Sequence, residues 1–200
     1  MLKRIFISIN FSEETKNKLF DYQKQIEKLF TLHRSYSGAG PCKWVKKENL
    51  HLTLAFLGNV SEQELNLVFE AVKITAENNN PFSIFFEKTS YGPDKKLPPR
   101  LVWVKGKKSE QLSKLKQDLD KLLSEKINYK PDKREFLPHI TLARINKWNW
   151  KKIEPDERPN IEIETPFEIK VNSIEVMESH LKTTGAEYEI VASYNLKRET

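Results

Sequence analysis

His51-Leu52-Thr53-Leu54-Ala55 and His139-Ile140-Thr141-Leu142-Ala143 are the most informative stretches of this 200-residue chain. The two stretches agree at four of five positions, differ conservatively at the fifth, and lie 88 residues apart. The chain has four histidines, and three further identities at fixed offsets from any pair arise by chance on the order of one time in a thousand. In a strand, side chains two apart share a face. Each copy therefore presents an imidazole and a hydroxyl together, His51 with Thr53 and His139 with Thr141, while Leu52, Leu54 and Phe56, or Ile140 and Leu142, fill the opposite, apolar face.

Each histidine strand belongs to an alternation of strands and helices. Ile5–Ile9 alternates as a half-buried strand, and Ser12 is a helix N-cap before the helical run Glu13–Phe30. His33–Pro41, rich in serine and glycine, reads as an exposed loop. The strand His51–Leu57 closes on Gly58, and Ser61-Glu62-Gln63-Glu64 is a capping box opening a helix to about Asn78. Strand composition returns at Phe82–Phe86 and Leu101–Val104, around the proline-rich turn Tyr91–Arg100. Ser109–Glu125 then sets Leu112, Leu115, Leu119, Leu122 and Leu123 at helical spacing, a face that packs inward. Phe167–Met177 and Glu187–Tyr194 read as closing strands. The expectation is about seven strands and three helices in an α+β class, in two sheets rather than one continuous parallel sheet, because so few helices cannot supply every parallel crossover.

Composition narrows the function classes. With 38% apolar, 10% aromatic and 31% charged residues the chain is expected to fold compactly over residues 1–200. No apolar run reaches the roughly 18 residues of a membrane span, and the start lacks a signal-peptide core, so a cytoplasmic location is expected. The single Cys42 excludes an internal disulfide framework. The net charge of +6 is polarised: residues 153–200 carry −6 and residues 1–152 carry +12. That balance suits a polyanionic ligand on the earlier part of the chain, although lysine-rich surfaces can also be merely solvated.

A single strand histidine is ordinarily bonded to its neighbouring threonine and has no further role. Two of them on equivalent strands can face each other, and an unperturbed pKa of about 6.5 lets one be neutral while the other is protonated. The pair can thus act as acid and base. Zinc is disfavoured, since there is no His-Glu-x-x-His helix and no carboxylate two or four residues after either histidine. Cys42 lacks a motif, no glycine-flanked nucleophile serine occurs, and no Gly-rich Lys-Ser/Thr phosphate loop is present. His33 and His180 have no repeat partner.

On these residues the chain resembles the 2H phosphoesterases, and among them the RNA 2′,3′-cyclic phosphodiesterases once called 2′-5′ RNA ligases. Arg4–Ile9 looks like the family's opening strand, Trp44-Val45 leads into the His51–Gly58 block, and Pro138–Arg144 forms the second block. Pro99–Val104 and Glu178–Leu181 with Gly185 and Tyr188 resemble further landmarks. The resemblance implies a bilobal α+β fold, two pseudo-symmetric lobes whose antiparallel sheets line a positively charged central cleft with helices outside. It implies metal-independent chemistry without a cofactor, His51 as proton donor and His139 as proton acceptor; the two near-equivalent strands do not rank those roles by themselves.

Under this reading neutral His139 deprotonates water while protonated His51 donates to O3′, opening a terminal 2′,3′-cyclic phosphate to a 2′-phosphate. Thr53 and Thr141 would hold the non-bridging oxygens, and Arg144 would neutralise their charge, although an arginine at a strand end is more often a surface ion-pair partner. Trp44, Trp103 and Phe6 could stack a base, but buried aromatics are commoner than stacking platforms. The expected partner is an RNA or oligonucleotide with a cyclic phosphate end, met by a monomer away from any membrane. One rival keeps the site and changes the substrate or direction: a 2′-5′ oligonucleotide, a cyclic ADP-ribose phosphate, or ATP-independent ligation, with Lys95, Lys96, Lys130, Lys133 and Arg134 as the loop cations that would discriminate. The other is a non-catalytic RNA-binding module, which gives no reason for a repeated His-x-Thr.

Overall fold

The computed structural model describes residues 1–30, 40–93, 97–183 and 185–197. His33, Lys95 and Lys96, and most of the loop expected at 33–41, lie outside them. The elements run β1 (Lys3–Asn10), α1 (Glu13–Lys28), β2 (Cys42–Trp44), β3 (His51–Val60), α2 (Glu62–Glu77), β4 (Phe82–Gly92) and β5 (Leu101–Gly106). They continue as α3 (Glu110–Lys126), β6 (His139–Ile145), α4 (Lys147–Lys151), β7 (Ile163–Val171), β8 (Ser173–Lys182) and β9 (Gly185–Asn195). Ser12, Ser61 and Ser109 cap α1, α2 and α3 as read from the sequence, and the Ser61 and Glu64 side chains complete the capping box. Each cap satisfies backbone N–H groups that the first helical turn leaves without partners.

Where two sheets were expected, the nine strands of the described residues join one antiparallel sheet in the order β7-β4-β5-β6-β3-β1-β8-β9, with β2 beside β6. The junction explains the difference. The two halves, β7-β4-β5-β6 and β3-β1-β8-β9, meet through a single paired position, Leu52↔Ile140. Farther along β6 the strand β3 has left that edge, and β2 takes it over with Cys42↔Ile145, Lys43↔Arg144 and Trp44↔Ala143. The strand order is mirrored about the junction, so β3 and β6 occupy equivalent central places.

On one side of the sheet Leu52, Leu54, Ile140 and Leu142 are buried together with Val68, Ala71 and Val72 of α2 and Leu112, Leu115, Leu119 and Leu123 of α3. α2 packs against α3 and against β8 and β9, so the helices bridge the two halves behind the junction. α1 lies against the β6 half, where the buried Gln23 side-chain amide donates to the Leu142 and Val45 carbonyls, both at 2.8 Å. With the apolar side of both histidine strands committed to this core, period-two geometry turns residues 51, 53, 139 and 141 to the opposite, polar face.

Candidate active site

The Leu52↔Ile140 pair sets the site. In that antiparallel register His51 lies opposite Thr141 and Thr53 opposite His139. The four polar side chains therefore form a quadrilateral with the histidines on one diagonal, a separation of about 7–8 Å between neighbouring strands. All four residues are half-buried.

The two imidazoles are held by the same local device. His51 Nδ1 meets the Asn49 carbonyl at 2.7 Å, and His139 Nδ1 meets the Leu137 carbonyl at 2.8 Å, each two residues upstream. A carbonyl only accepts, so Nδ1 carries the proton in both rings and Nε2 is left with its lone pair as an acceptor. At His51 the Thr53 hydroxyl donates to Nε2 at 2.9 Å.

Surrounding groups decide the protonation states. Burial pushes the His51 imidazole down to about 4; the bond to Asn49 opposes this, and the charges of Lys16, Arg144 and His139 add to it. Burial also lowers His139, against the bond to Leu137. Without an anion between them, both rings are therefore neutral at pH 7.

Aromatic rings wall the site. Phe6 packs 5.1 Å from the His51 ring, Tyr188 meets it edge-on at 5.3 Å, and Trp103 lies 4.7 Å from His139. Phe6 and Trp103 are buried, and the Trp103 indole N–H donates to Ser90 Oγ at 3.0 Å. Trp44 is half-buried with its ring edge-to-face on Phe30. These rings support the imidazoles or the core. Beside Thr53 in the β1–β3 register sits Ser8, whose fully buried hydroxyl has no partner among the described residues.

Two supports of His51 had no signal in the sequence. Asn49, buried at the end of the turn Lys47–Asn49, donates through Nδ2 to the Ala186 carbonyl on β9 at 2.8 Å, which anchors the acceptor of His51 Nδ1 to the far edge of the sheet. Lys16 of α1, also buried, donates to the Glu48 carbonyl in the same turn at 3.1 Å. Neither residue belongs to a motif; only the folded chain brings α1, the turn and β9 together.

The remaining candidates separate. Arg144 is exposed at the end of β6, its charge felt at His51. Lys130, Lys133 and Arg134 are exposed, and Arg134 is tied to Asp132. His180 is a surface residue bonded to Glu189 at 3.2 Å. Burial drives the Cys42 thiol up to about 12, so it is protonated and inert as a nucleophile. Among the described residues no three His, Cys, Asp or Glu side chains gather as a metal site, and no helix is long and apolar enough to cross a membrane.

Known proteins resemble this chain in sequence and fold. The family model for LigT-like phosphoesterases matches residues 11–103 and again residues 105–188, one match for each histidine strand. A Thermotoga maritima protein named RNA 2′,3′-cyclic phosphodiesterase is 32% identical over 192 residues, covering 94% of this chain and 92% of its own. One of the same name from Methanothermobacter thermautotrophicus is 26% identical over 199 residues, covering 98% and 100%. Among solved structures, the Thermus thermophilus protein TT0787 superposes with a TM-score of 0.78 at 26% identity, covering 98% of this chain and all of that one. The Escherichia coli LigT apo structure shares the fold with a TM-score of 0.73 at 21% identity, covering 98% of each chain. Twin histidine strands at the centre of a mirrored antiparallel sheet, and a family match that spans both, make this chain a member of the LigT-like 2H phosphoesterase family.

Proposed function

We propose that the chain, acting as one bilobal domain, hydrolyses the 2′,3′-cyclic phosphate at an RNA end to a 2′-phosphate, with His51 and His139 as an acid/base pair. The observation that carries this reading is the diagonal of two imidazoles, each with Nδ1–H fixed to a carbonyl and Nε2 left for proton transfer. Hydrolysis of a cyclic diester needs a water deprotonated on one side of phosphorus and a leaving oxygen protonated on the other, and a diagonal pair offers both.

A phosphodiester anion seated between the strands raises the pKa of both rings, and one takes up a proton. His139 Nε2 accepts the water proton as the new P–O bond forms. His51 Nε2–H delivers its proton to O3′ as the P–O3′ bond breaks, leaving phosphorus on O2′. Assigning His51 as donor follows the resemblance. Thr53 and Thr141 occupy the other diagonal, where their hydroxyls reach non-bridging oxygens, and Arg144 supplies the neutralising charge. When His51 is protonated, Thr53 no longer needs to donate to Nε2 and its hydroxyl proton is available to the phosphate. Each proton transfer is worth about 10²- to 10⁴-fold in rate.

The test is incubation of an RNA ending in a 2′,3′-cyclic phosphate with the protein in chelator, followed by identification of the hydroxyl that keeps phosphorus. A 2′-phosphate product, lost with His51→Ala and with His139→Ala, is expected. A 3′-phosphate, or turnover that persists in both variants, would overturn the assignment.

A further inference from the structure

Trp148 is 78% exposed, whereas Trp103 and Trp150 are 4% and 2% exposed. It stands on α4, and that short helix is firmly held. The Asn146 side chain caps the Trp148 and Asn149 amides, and the Asn146 amide donates to the Pro41 carbonyl at 2.7 Å. Asn149 Nδ2 donates to the Gly40 carbonyl at 3.2 Å. Trp150 is driven into the core against Tyr91, with the Arg158 guanidinium over its ring. A rigid mount thus displays a large apolar ring to solvent, a placement with no packing benefit.

Lysines lie on both sides of it in sequence, ahead of the acidic residues Glu154, Asp156 and Glu157. Lys147, Lys151 and Lys152, which flank the ring in sequence, are all exposed. The patch is continuous with the site: α4 begins three residues after Arg144, which pairs with Lys43 on β2 and with Leu101 on β5, next to the exposed Arg100. Lys43 in turn reaches toward β9, where a Cβ placed on Gly185 would lie 3.2 Å from its ammonium. Cations therefore lead from the histidine face along the end of β6 to the indole.

We propose that this surface binds the single-stranded RNA body that precedes the reacting terminal nucleotide, with Trp148 stacking on one base and Lys43, Arg100, Lys147 and Lys151 contacting backbone phosphates. A positive track with an aromatic platform is the chemistry of sequence-tolerant single-strand binding. The inference rests on the proposed reaction, since it names the substrate as an oligonucleotide rather than a cyclic mononucleotide.

The experiment compares kcat/KM for a 2′,3′-cyclic mononucleotide with that for a ten-nucleotide RNA carrying the same end, in the wild-type protein, Trp148→Ala and Lys147→Ala/Lys151→Ala. The wild type is expected to prefer the oligonucleotide, and the ratio is expected to fall about tenfold in Trp148→Ala through KM. Binding is read separately by titrating the uncleavable 2′-phosphate-ended oligonucleotide. Quenching of tryptophan emission should be lost in Trp148→Ala, and the slope of log K against log salt should drop by roughly 0.7 for each lysine removed. Equal ratios in wild type and variants together with unchanged quenching would overturn the proposal. So would a Trp148→Ala effect on self-association without one on RNA binding, since the patch would then face a second copy. Failure of the proposed reaction shows differently: neither substrate turns over, while the titration still decides the RNA surface.

Discussion

Of all perturbations, pH probes the two imidazoles most directly. With the His51 ring lowered to about 4 and His139 also below its ordinary 6.5, the free protein holds its productive singly protonated form only on the acid side of neutrality. kcat/KM reports the free protein, so its profile should peak below pH 6.5 and fall tenfold per pH unit above, about 100-fold between roughly pH 6.5 and 8.5. The bound complex behaves differently. A unit negative charge about 4 Å from an imidazole, at an effective dielectric of about 20, favours protonation by about 4 kcal/mol, equivalent to about three pH units. The alkaline limb of kcat should therefore lie well above that of kcat/KM. The assay is steady-state turnover of a 2′,3′-cyclic mononucleotide in chelator, with both parameters followed across this range. A kcat/KM maximum above pH 7, or coincident alkaline limbs, would show that burial does not control the pair.

The same burial appears in stability. A His51 pKa depressed on folding stabilises the protein fully above about pH 6.5, and the contribution disappears as pH falls through about 4; with the ring partly open to water it amounts to about 2 kcal/mol. Denaturant unfolding should show that loss in the wild type and a shallower one in His51→Gln. Gly92→Ala would place a Cβ 2.3 Å from the Trp103 indole, the ring that abuts His139, so it should destabilise by about 1–3 kcal/mol and lower kcat together; unchanged near-ultraviolet circular dichroism would count against the contact. Asn49→Ala frees the acceptor of His51 Nδ1 from β9 and should reduce kcat about tenfold at little change in KM, measured against an unaltered fold by circular dichroism. Ser61→Ala breaks the α2 capping box far from the polar face and should cost about 1 kcal/mol of stability in thermal unfolding without affecting turnover.

Much of the site was legible because strand parity is local. His51 with Thr53 and His139 with Thr141 share a face by spacing alone, and the caps at Ser12, Ser61 and Ser109 announce helices by side-chain chemistry. Elements without periodicity escaped. β2 has three residues, too few to alternate, and β4 continues past Phe86 through Lys88-Thr89-Ser90 because Thr89 is buried in a hydroxyl triad with Tyr22 and Thr165. The expected strand Phe167–Met177 is two strands that turn at Asn172. Asn49, Lys16 and Tyr188 act through partners more than 30 residues away in the chain, and hydropathy carries no trace of such contacts.

The seam between the half-sheets is a mechanical joint. Since a lone residue pair links them at Leu52 and Ile140, backbone hydrogen bonding exerts little leverage on the angle at which the halves open. The spacer behind that joint is the α2–α3 interface. Enlarging or trimming side chains in this interface, on the reverse side of the sheet from any substrate, should act as a calliper on the gap between the imidazoles, and repacking it offers a way to retune that span without touching a polar residue.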